Sequence, residues 1–350
     1  MSNTLSQTNP HHDIVISSRV RIARNLENYA FPHLLTADKS TDLLRKVQQA
    51  VESFSHSTGN RYQYVALSQL DPVERQTFVE DHVISPALAG NPDKGAFFID
   101  ELRQNIIMVN EEDHLRIQCV LKGLQLADAW GKADLLDDYL GRQLPYAFDE
   151  TFGYLTACPT NLGTGVRFSV MLHLPALTML GYTNGLIHAT GQLGFAVRGV
   201  FGEGSDYMGN LYQISNQVTL GIQEPEMISD LEDVILQVIQ KERMARKNLL
   251  DKQKVDVEDR ICRSLGILKY ARRLTRKEAM QYLSDLKLGI TLGTVTFCTL
   301  DELQDLIELI QPANLQKYYG KLLRESERDF RRAEIIRRKL SEGGVKDVNE

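Results

Sequence analysis

Four strand-like segments of this chain each carry arginine: Arg19 with Arg21, then Arg116, Arg167 and Arg198. Successive side chains of a strand point to opposite faces. In DIVISSRVRIARN, which begins at Asp13, Val15, Ser17, Arg19 and Arg21 therefore share one face, and Ile16, Ser18, Val20 and Ile22 the other. In VRFSVMLHL, Val166, Phe168, Val170, Leu172 and Leu174 face a core, while Arg167, Ser169, Met171 and His173 point elsewhere. If the four segments share one sheet, their guanidinium groups can converge on a polyanion, because the fixed five-donor fork of arginine matches phosphate oxygens better than lysine does. A nucleoside triphosphate is the obvious candidate.

The rest of the pattern is α+β first and all-helical afterwards. Residues 1–13 are polar and read as a flexible tail. Leu43, Leu44, Val47, Val51 and Phe54 predict a helix over 41–54, and Asp71-Pro72 is a helix start. AFFID, NIIMVN and HLRIQCV form a β-meander pattern over 96–120, followed by an amphipathic helix over 124–140. Strand pattern returns over 154–174, interrupted by the loop CPTNLGTG, and GFAVRG and LYQISN follow. After Gly221 only helical spacing remains, over 227–239, 261–274, 276–286, 303–310 and 326–340. The prediction is an α+β domain over 14–250 and a helical domain over 251–350. In the last helix, Phe330, Ala333, Ile336 and Leu340 make the expected core stripe.

Three hundred and fifty residues suffice for two such domains. Forty Lys plus Arg against 46 Asp plus Glu leave a net charge of -6, which argues against a protein that works by neutralising nucleic-acid phosphates. No apolar run approaches the roughly 18 residues of a membrane span, and MSNTLSQTNPHHD lacks the features of a secretory signal, so the expected location is cytoplasmic. Cys119, Cys158, Cys262 and Cys298 are widely spaced without CxxC and read as reduced thiols, with no zinc site. There is no GxxxxGK[ST] and no HRD or DFG set.

Glu111, Glu112 and Asp113, and Glu203 with Asp206, are either solvated turns or carboxylates that grip a cationic acceptor and align it with the terminal phosphate. Glycines in NLGTG and GEG could bring backbone N–H groups to phosphate. Cys158 is either a small apolar filler or an activated thiolate.

SSRVR (17–21), NEEDHLR (110–116), CPTNLGTGVR (158–167) and VRG followed by GEG and YQISN (197–216), in this order, resemble the phosphagen (ATP:guanido) kinase family. RDFRRA (328–333) fits an RDxxRA motif and resembles the bacterial protein-arginine kinase branch of that family. The resemblance implies a phosphagen-kinase-like catalytic domain over 14–250, with a mainly antiparallel sheet flanked by helices. It implies transfer of the γ-phosphoryl group of ATP to arginine residues in proteins, with Mg²⁺ carried by the nucleotide and no dedicated metal ligands. Implied nucleotide contacts are Ser17, Ser18, Arg19, Val20, Arg21, His82, Arg116, Arg167, Phe168, Ser169, Val170, Met171, Arg198, Gly199, Val200, Phe201, Gly202 and Glu203. Glu112, Glu203 and Asp206 are the implied guanidinium carboxylates, with Cys158 beside them.

Small-guanidine members carry arginine where Phe201 stands and glutamate where Asp206 stands, so Glu203 is the preferred second carboxylate. They also carry a helical domain before SSRVR, where sixteen residues stand here, and the expectation is an open site that admits a protein-borne arginine. The branch further implies an allosteric phosphoarginine site at Arg328, Asp329, Phe330, Arg331, Arg332 and Ala333, within a helical domain that dimerises. Its implied partners are a zinc-binding activator protein, a Clp ATPase/protease and a heat-shock repressor, in a stress response. A kinase for a small free guanidine and an inactive kinase-fold adaptor are the competing readings.

Overall fold

The computed structural model describes residues 11–199 and 207–342. The strand patterns become β1 (Val15–Arg24), β2 (Tyr62–Ala66), β3 (Ala96–Asp100), β4 (Asn105–Val109), β5 (Leu115–Lys122), a short β6 (Phe148–Asp149) and β7 (Gly153–Tyr154) hairpin, β8 (Val166–His173), β9 (Phe195–Gly199) and β10 (Leu211–Asn216). Apart from the hairpin, all of them pair antiparallel in one sheet, in the order β2-β3-β4-β5-β1-β8-β10-β9. The four arginine-bearing segments are thus members of a single sheet.

Helices α1 (Ala37–Thr58), α2 (Pro72–Glu80), α3 (Pro86–Ala89), α4 (Leu126–Gly141), α5 (Pro175–Met179), α6 (Thr183–Gln192), α7 (Glu224–Tyr270), α8 (Arg276–Thr291), α9 (Leu300–Leu309), α10 (Pro312–Tyr319) and α11 (Glu325–Glu342) complete the described chain. None is long and apolar enough to cross a membrane. Asp71 starts α2 with a full capping box to Glu74, as the Asp-Pro pair predicts. The long α7 leads from the sheet into the helical part, and one non-helical residue, Gln253, interrupts it.

The two sheet faces are used differently. Val20, Ile22, Ile117, Cys119, Val166, Phe168, Val170 and Ile214 lie at or near zero exposure on one face, in a core shared with α1, α4 and α7. Trp130 of α4 meets Phe168 edge-on at 5.6 Å. On the opposite face a second core covers only the β3–β4 end, where Phe97, Ile99, Ile106 and Met108 pack with Leu67, Val83, Ile84 and Leu88. Burying side chains of this size stabilises by about 1.5–3 kcal/mol each, which fixes the 67–88 segment as a wall at the edge of the remaining face. Beyond β4 that face turns polar.

Two sequence expectations shift. A register irregularity between Val15 and Ser17 moves Val15 off the arginine parity, and it is buried at 1 % exposure. Phe330 is 45 % exposed, and Asp329 and Arg332 take its place on the buried face of α11 with Ala333, Ile336 and Leu340.

Candidate active site

Register places the arginines together. Arg21 stands directly opposite Arg167 of β8 on one side and Gln118 of β5 on the other. Arg19 is opposite Ser169, Arg116 opposite Ala23, and Arg198 opposite Gln213, which is itself opposite Met171. With a period of two, all of these residues and Ser17 share the polar face. Arg19 donates through Nη2 to Gln213 Oε1 at 3.1 Å and through Nε to Ser169 Oγ at 3.5 Å. The crowding has an electrostatic signature: burial, and then the charges of Arg116 and Arg167, push the Arg19 guanidinium down to about 10. Arg21 is driven down well below the usual range by burial first and then by Arg19, Arg116 and Arg167, and its Nε is buried without a hydrogen-bond partner. Like charges held this close are suited to an incoming polyanion.

The 80–85 turn borders this face. His82 adopts φ 58°, and its carbonyl accepts from Gln118 Nε2 at 2.9 Å. Burial, with help from the Arg19 and Arg276 charges, pushes the His82 imidazole down to about 4, so it is neutral at pH 7. Ser85 Oγ donates to Glu111, which also receives a short bond from Arg116. Burial opposes the Glu111 charge, but Arg116 and these hydrogen bonds outweigh it and hold the carboxyl below its ordinary value.

The NEEDH turn divides its residues between anchoring and display. Asn110, at φ 59°, donates to Ser40 Oγ and the Lys94 carbonyl, each at 3.0 Å. Asp113 Oδ1 accepts from Asn25 Nδ2 at 2.6 Å and Ala157 N at 2.7 Å. His114 is fully buried, with Nδ1 accepting from Leu26 N at 3.0 Å and Nε2 donating to the Ala30 carbonyl at 2.8 Å, which defines a neutral ring. Glu112 is left exposed on this pedestal. Partial burial, then the neighbouring Asp113 and Glu111 charges, raise its carboxyl despite Arg116, a direction that favours accepting a proton.

Because Asp113 also holds Ala157 N, the same anchor ties the Glu112 turn to the loop of Cys158. Cys158 Sγ lies 3.0 Å from Thr160 Oγ1 and is partly exposed. The glycines of this loop are closely packed. Gly163 has φ 101°, and a Cβ there would come within 2.3 Å of the Thr219 carbonyl, while Thr164 N already donates to that carbonyl at 2.9 Å.

Residues 42–245 match the ATP:guanido phosphotransferase C-terminal catalytic domain. The chain belongs to the ATP:guanido phosphotransferase family. Residues 254–350 match the protein-arginine kinase McsB C-terminal domain. A protein-arginine kinase of Geobacillus sp. is 45 % identical over 340 residues, covering 97 % of this chain and 94 % of the relative. One from Brevibacillus brevis is 47 % identical over 339 residues, covering 97 % and 95 %. Among solved structures, the duplicated taurocyamine kinase from Schistosoma mansoni with bound transition state analog components aligns at a TM-score of 0.61 and 26 % identity, over 69 % of this chain; the chain spans 34 % of that duplicated protein. Lombricine kinase aligns at 0.58 and 25 %, covering 66 % of this chain and 67 % of that one.

Within this ATP:guanido phosphotransferase chain, the structure brings Ser17, Arg19, Arg21, Arg116, Arg167, Ser169, Met171 and Arg198 to one face, with His82 at its border and Gly199 at the end of β9. Ser18, Val20, Phe168 and Val170 are turned the other way. The last three are fully buried in the core, and Ser18 donates to the Gly123 carbonyl and accepts from Gln125 N. Their side chains therefore do not reach the arginine face. Val200, Phe201, Gly202, Glu203 and Asp206 lie outside the described residues.

The 328–333 motif lies in the first half of α11. Arg332 is 2 % exposed and bonds to the carbonyls of Ile310 and Leu274 and to Asp329 Oδ1 at 3.1, 2.8 and 2.7 Å. The Asp329–Arg332 pair is thus an internal staple, and Ala333 is buried behind it. Arg328 reaches the Leu323 carbonyl at 3.3 Å and Arg331 pairs with Glu334. Phe330 and Arg331 border a cleft of about 240 Å³ with Lys321, Leu323, Ser326 and Glu327.

Sequence reasoning missed Ser85, Gln118 and Gln213. Gln118 was recoverable, since it follows Arg116 by two on the same strand; Ser85 lies in a turn with no periodic signal. Among the described residues no group of three or more His, Cys, Asp or Glu is arranged to hold a metal ion.

Proposed function

We propose that this chain transfers the γ-phosphoryl group of ATP to a guanidinium nitrogen of arginine residues in proteins, with residues 14–250 as the catalytic unit and 251–350 as the helical, dimerising one. The observation that carries the reading is the crowded arginine face bordered by the exposed carboxylate of Glu112. The triphosphate lies along Arg19, Arg21, Arg116, Arg167 and Arg198, which neutralise charge spread over the transferring group. Mg²⁺ on the nucleotide supplies further charge neutralisation at the phosphates.

A guanidinium has a pKa above about 12 and is a poor nucleophile until it is oriented and relieved of a proton. Glu112, with Glu203 or Asp206 as second carboxylate, holds the acceptor in line with the γ-phosphorus, and Cys158 lies against it. The nitrogen–phosphorus bond forms as the bond from phosphorus to the β,γ-bridging oxygen breaks. ADP leaves, and the displaced proton passes to the Glu112 carboxylate, whose raised pKa suits that task.

The matched helical domain and the 45–47 % identical relatives support a protein acceptor over a small free guanidine. A cytoplasmic setting, a zinc-binding activator, a Clp ATPase/protease and a heat-shock repressor, acting in a stress response, belong to the same reading. ADP release with an arginine-bearing protein as acceptor, compared with free L-arginine at equal arginine concentration, tests the substrate class. Faster turnover on the protein supports it; turnover on the free amino acid alone refutes it.

A further inference from the structure

Helix α10 starts without a cap of its own. The Gln311 side chain makes no capping bond; its Oε1 accepts from Arg276 Nε and its Nε2 donates to the Ile307 carbonyl, both at 2.7 Å. The first-turn backbone donors of Ala313 and Asn314 bond to the Glu80 carboxylate at 2.9 Å, and the Asn314 side-chain amide reaches Asp81 at 2.9 Å. A carboxylate at a helix N-terminus satisfies orphan donors and complements the helix dipole. Here that carboxylate belongs to the far end of α2, 233 residues earlier in the chain.

Glu80 also opens the turn that borders the arginine face. Two residues on, His82 is pinned to Gln118 of β5; five residues on, Ser85 is pinned to Glu111 and through it to Arg116. On the other side of the contact, Arg332 grips the carbonyls of Ile310 and Leu274, the residues immediately before the N-caps of α10 and α8. One contiguous set of bonds therefore runs from the buried Asp329–Arg332 pair through the start of α10 to Glu80 and on to His82.

We propose that Glu80 is a positioning residue for the nucleotide: by capping α10 it locks the 80–85 turn to the helical domain and sets where His82 and the Ser85–Glu111–Arg116 chain stand against the phosphates. This rests on the assignment of the arginine face to ATP. Coupling carried by such a network has a modest size, about three- to tenfold in affinity.

The test uses the full chain and compares wild type, Glu80→Gln and Glu80→Ala, each alone and with Gln311→Asp, which gives α10 a cap from its own N-cap position. Steady-state kinetics and thermal melting are read for each. Glu80→Ala is expected to raise the KM for ATP about three- to tenfold with little change in kcat, and Gln311→Asp to restore the melting temperature without restoring KM. Glu80→Gln keeps the shape and one acceptor, so it shows a smaller rise in KM and serves if the alanine variant does not fold. Recovery of KM together with melting temperature, or an unchanged KM in a destabilised Glu80 variant, overturns the proposal. ATP binding by Arg167→Ala is measured in parallel. Wild-type affinity there removes the nucleotide assignment and the proposal with it, whereas lost affinity there with unchanged KM at Glu80 removes the proposal alone.

Discussion

Replacing Arg19 by methionine should make the empty protein more stable and the nucleotide-binding protein worse. The depression of the Arg19 guanidinium to about 10, from an ordinary value above about 12, corresponds to about 3 kcal/mol at about 1.4 kcal/mol per tenfold in proton affinity. Both values lie above 7, so the group is charged in the folded and unfolded chains at neutral pH, and the cost is present throughout that range; it is relieved only as pH rises through about 10. Methionine removes the charge while its unbranched chain fills the same groove. It also removes the bonds to Gln213 and Ser169, at about 0.5–1.5 kcal/mol each, which leaves a net gain of about 0–2 kcal/mol. In a chain of this size, at about 2.1 cal/mol/K of unfolding entropy per residue, that is a rise of up to roughly 3 °C in melting temperature. A lost charge-assisted bond to phosphate costs about 1.5–3 kcal/mol, or about 10- to 150-fold in ATP affinity. Thermal melting across an ATP titration reads both effects, since a ligand that binds only the folded state raises the midpoint with concentration. A lower melting temperature for the empty variant, or an ATP-induced rise equal to that of wild type, would refute the reasoning.

Three further outcomes are expected. Cys158→Ser should keep reduced turnover, because a serine hydroxyl can replace the Thr160 contact, and alkylation of wild type should inactivate it unless ATP and protein substrate are present; alkylation at Cys158 without loss of rate would remove it from the site. Asp329→Ala should destabilise by about 3–5 kcal/mol, because it leaves buried Arg332 without its counter-charge, while Arg328→Ala should change little; equal denaturation midpoints for the two variants would contradict the staple. His82 is held neutral by burial, with a folded pKa of about 4 against an ordinary 6.5. Its contribution to stability is therefore complete above about pH 6.5 and lost as pH falls toward 4, by at most about 3 kcal/mol. Urea midpoints of wild type and His82→Gln should converge across that window, and a constant difference between them would count against this assignment.

The alternation in 13–25 and 166–174 was enough to place arginines from separate segments on one face, because a two-residue period allows only two choices per strand. Strand order and register were not legible: nothing local says that Arg21 will sit between Gln118 and Arg167. The NEEDH turn shows the same limit. Glu111, Glu112 and Asp113 read equally as a solvated turn or as carboxylates for a cationic acceptor, and only the folded chain shows Asn110, Asp113 and His114 buried as anchors, with Glu112 outside. In α11 apolar spacing alone selects Phe330, whereas a buried ion pair occupies the inward positions. The Glu80 cap left no trace in sequence at all, since its partners lie 233 residues away.

The central claim is that the arginine face and Glu112 together phosphorylate arginine in proteins. Mass spectrometry under conditions that avoid acid, on a protein substrate incubated with ATP and either wild type or Glu112→Gln, tests it most directly. Wild type is expected to leave phosphate on arginine nitrogen, and a folded Glu112→Gln almost none. Phosphate on hydroxyl side chains alone, or equal phosphoarginine from both proteins, would contradict it.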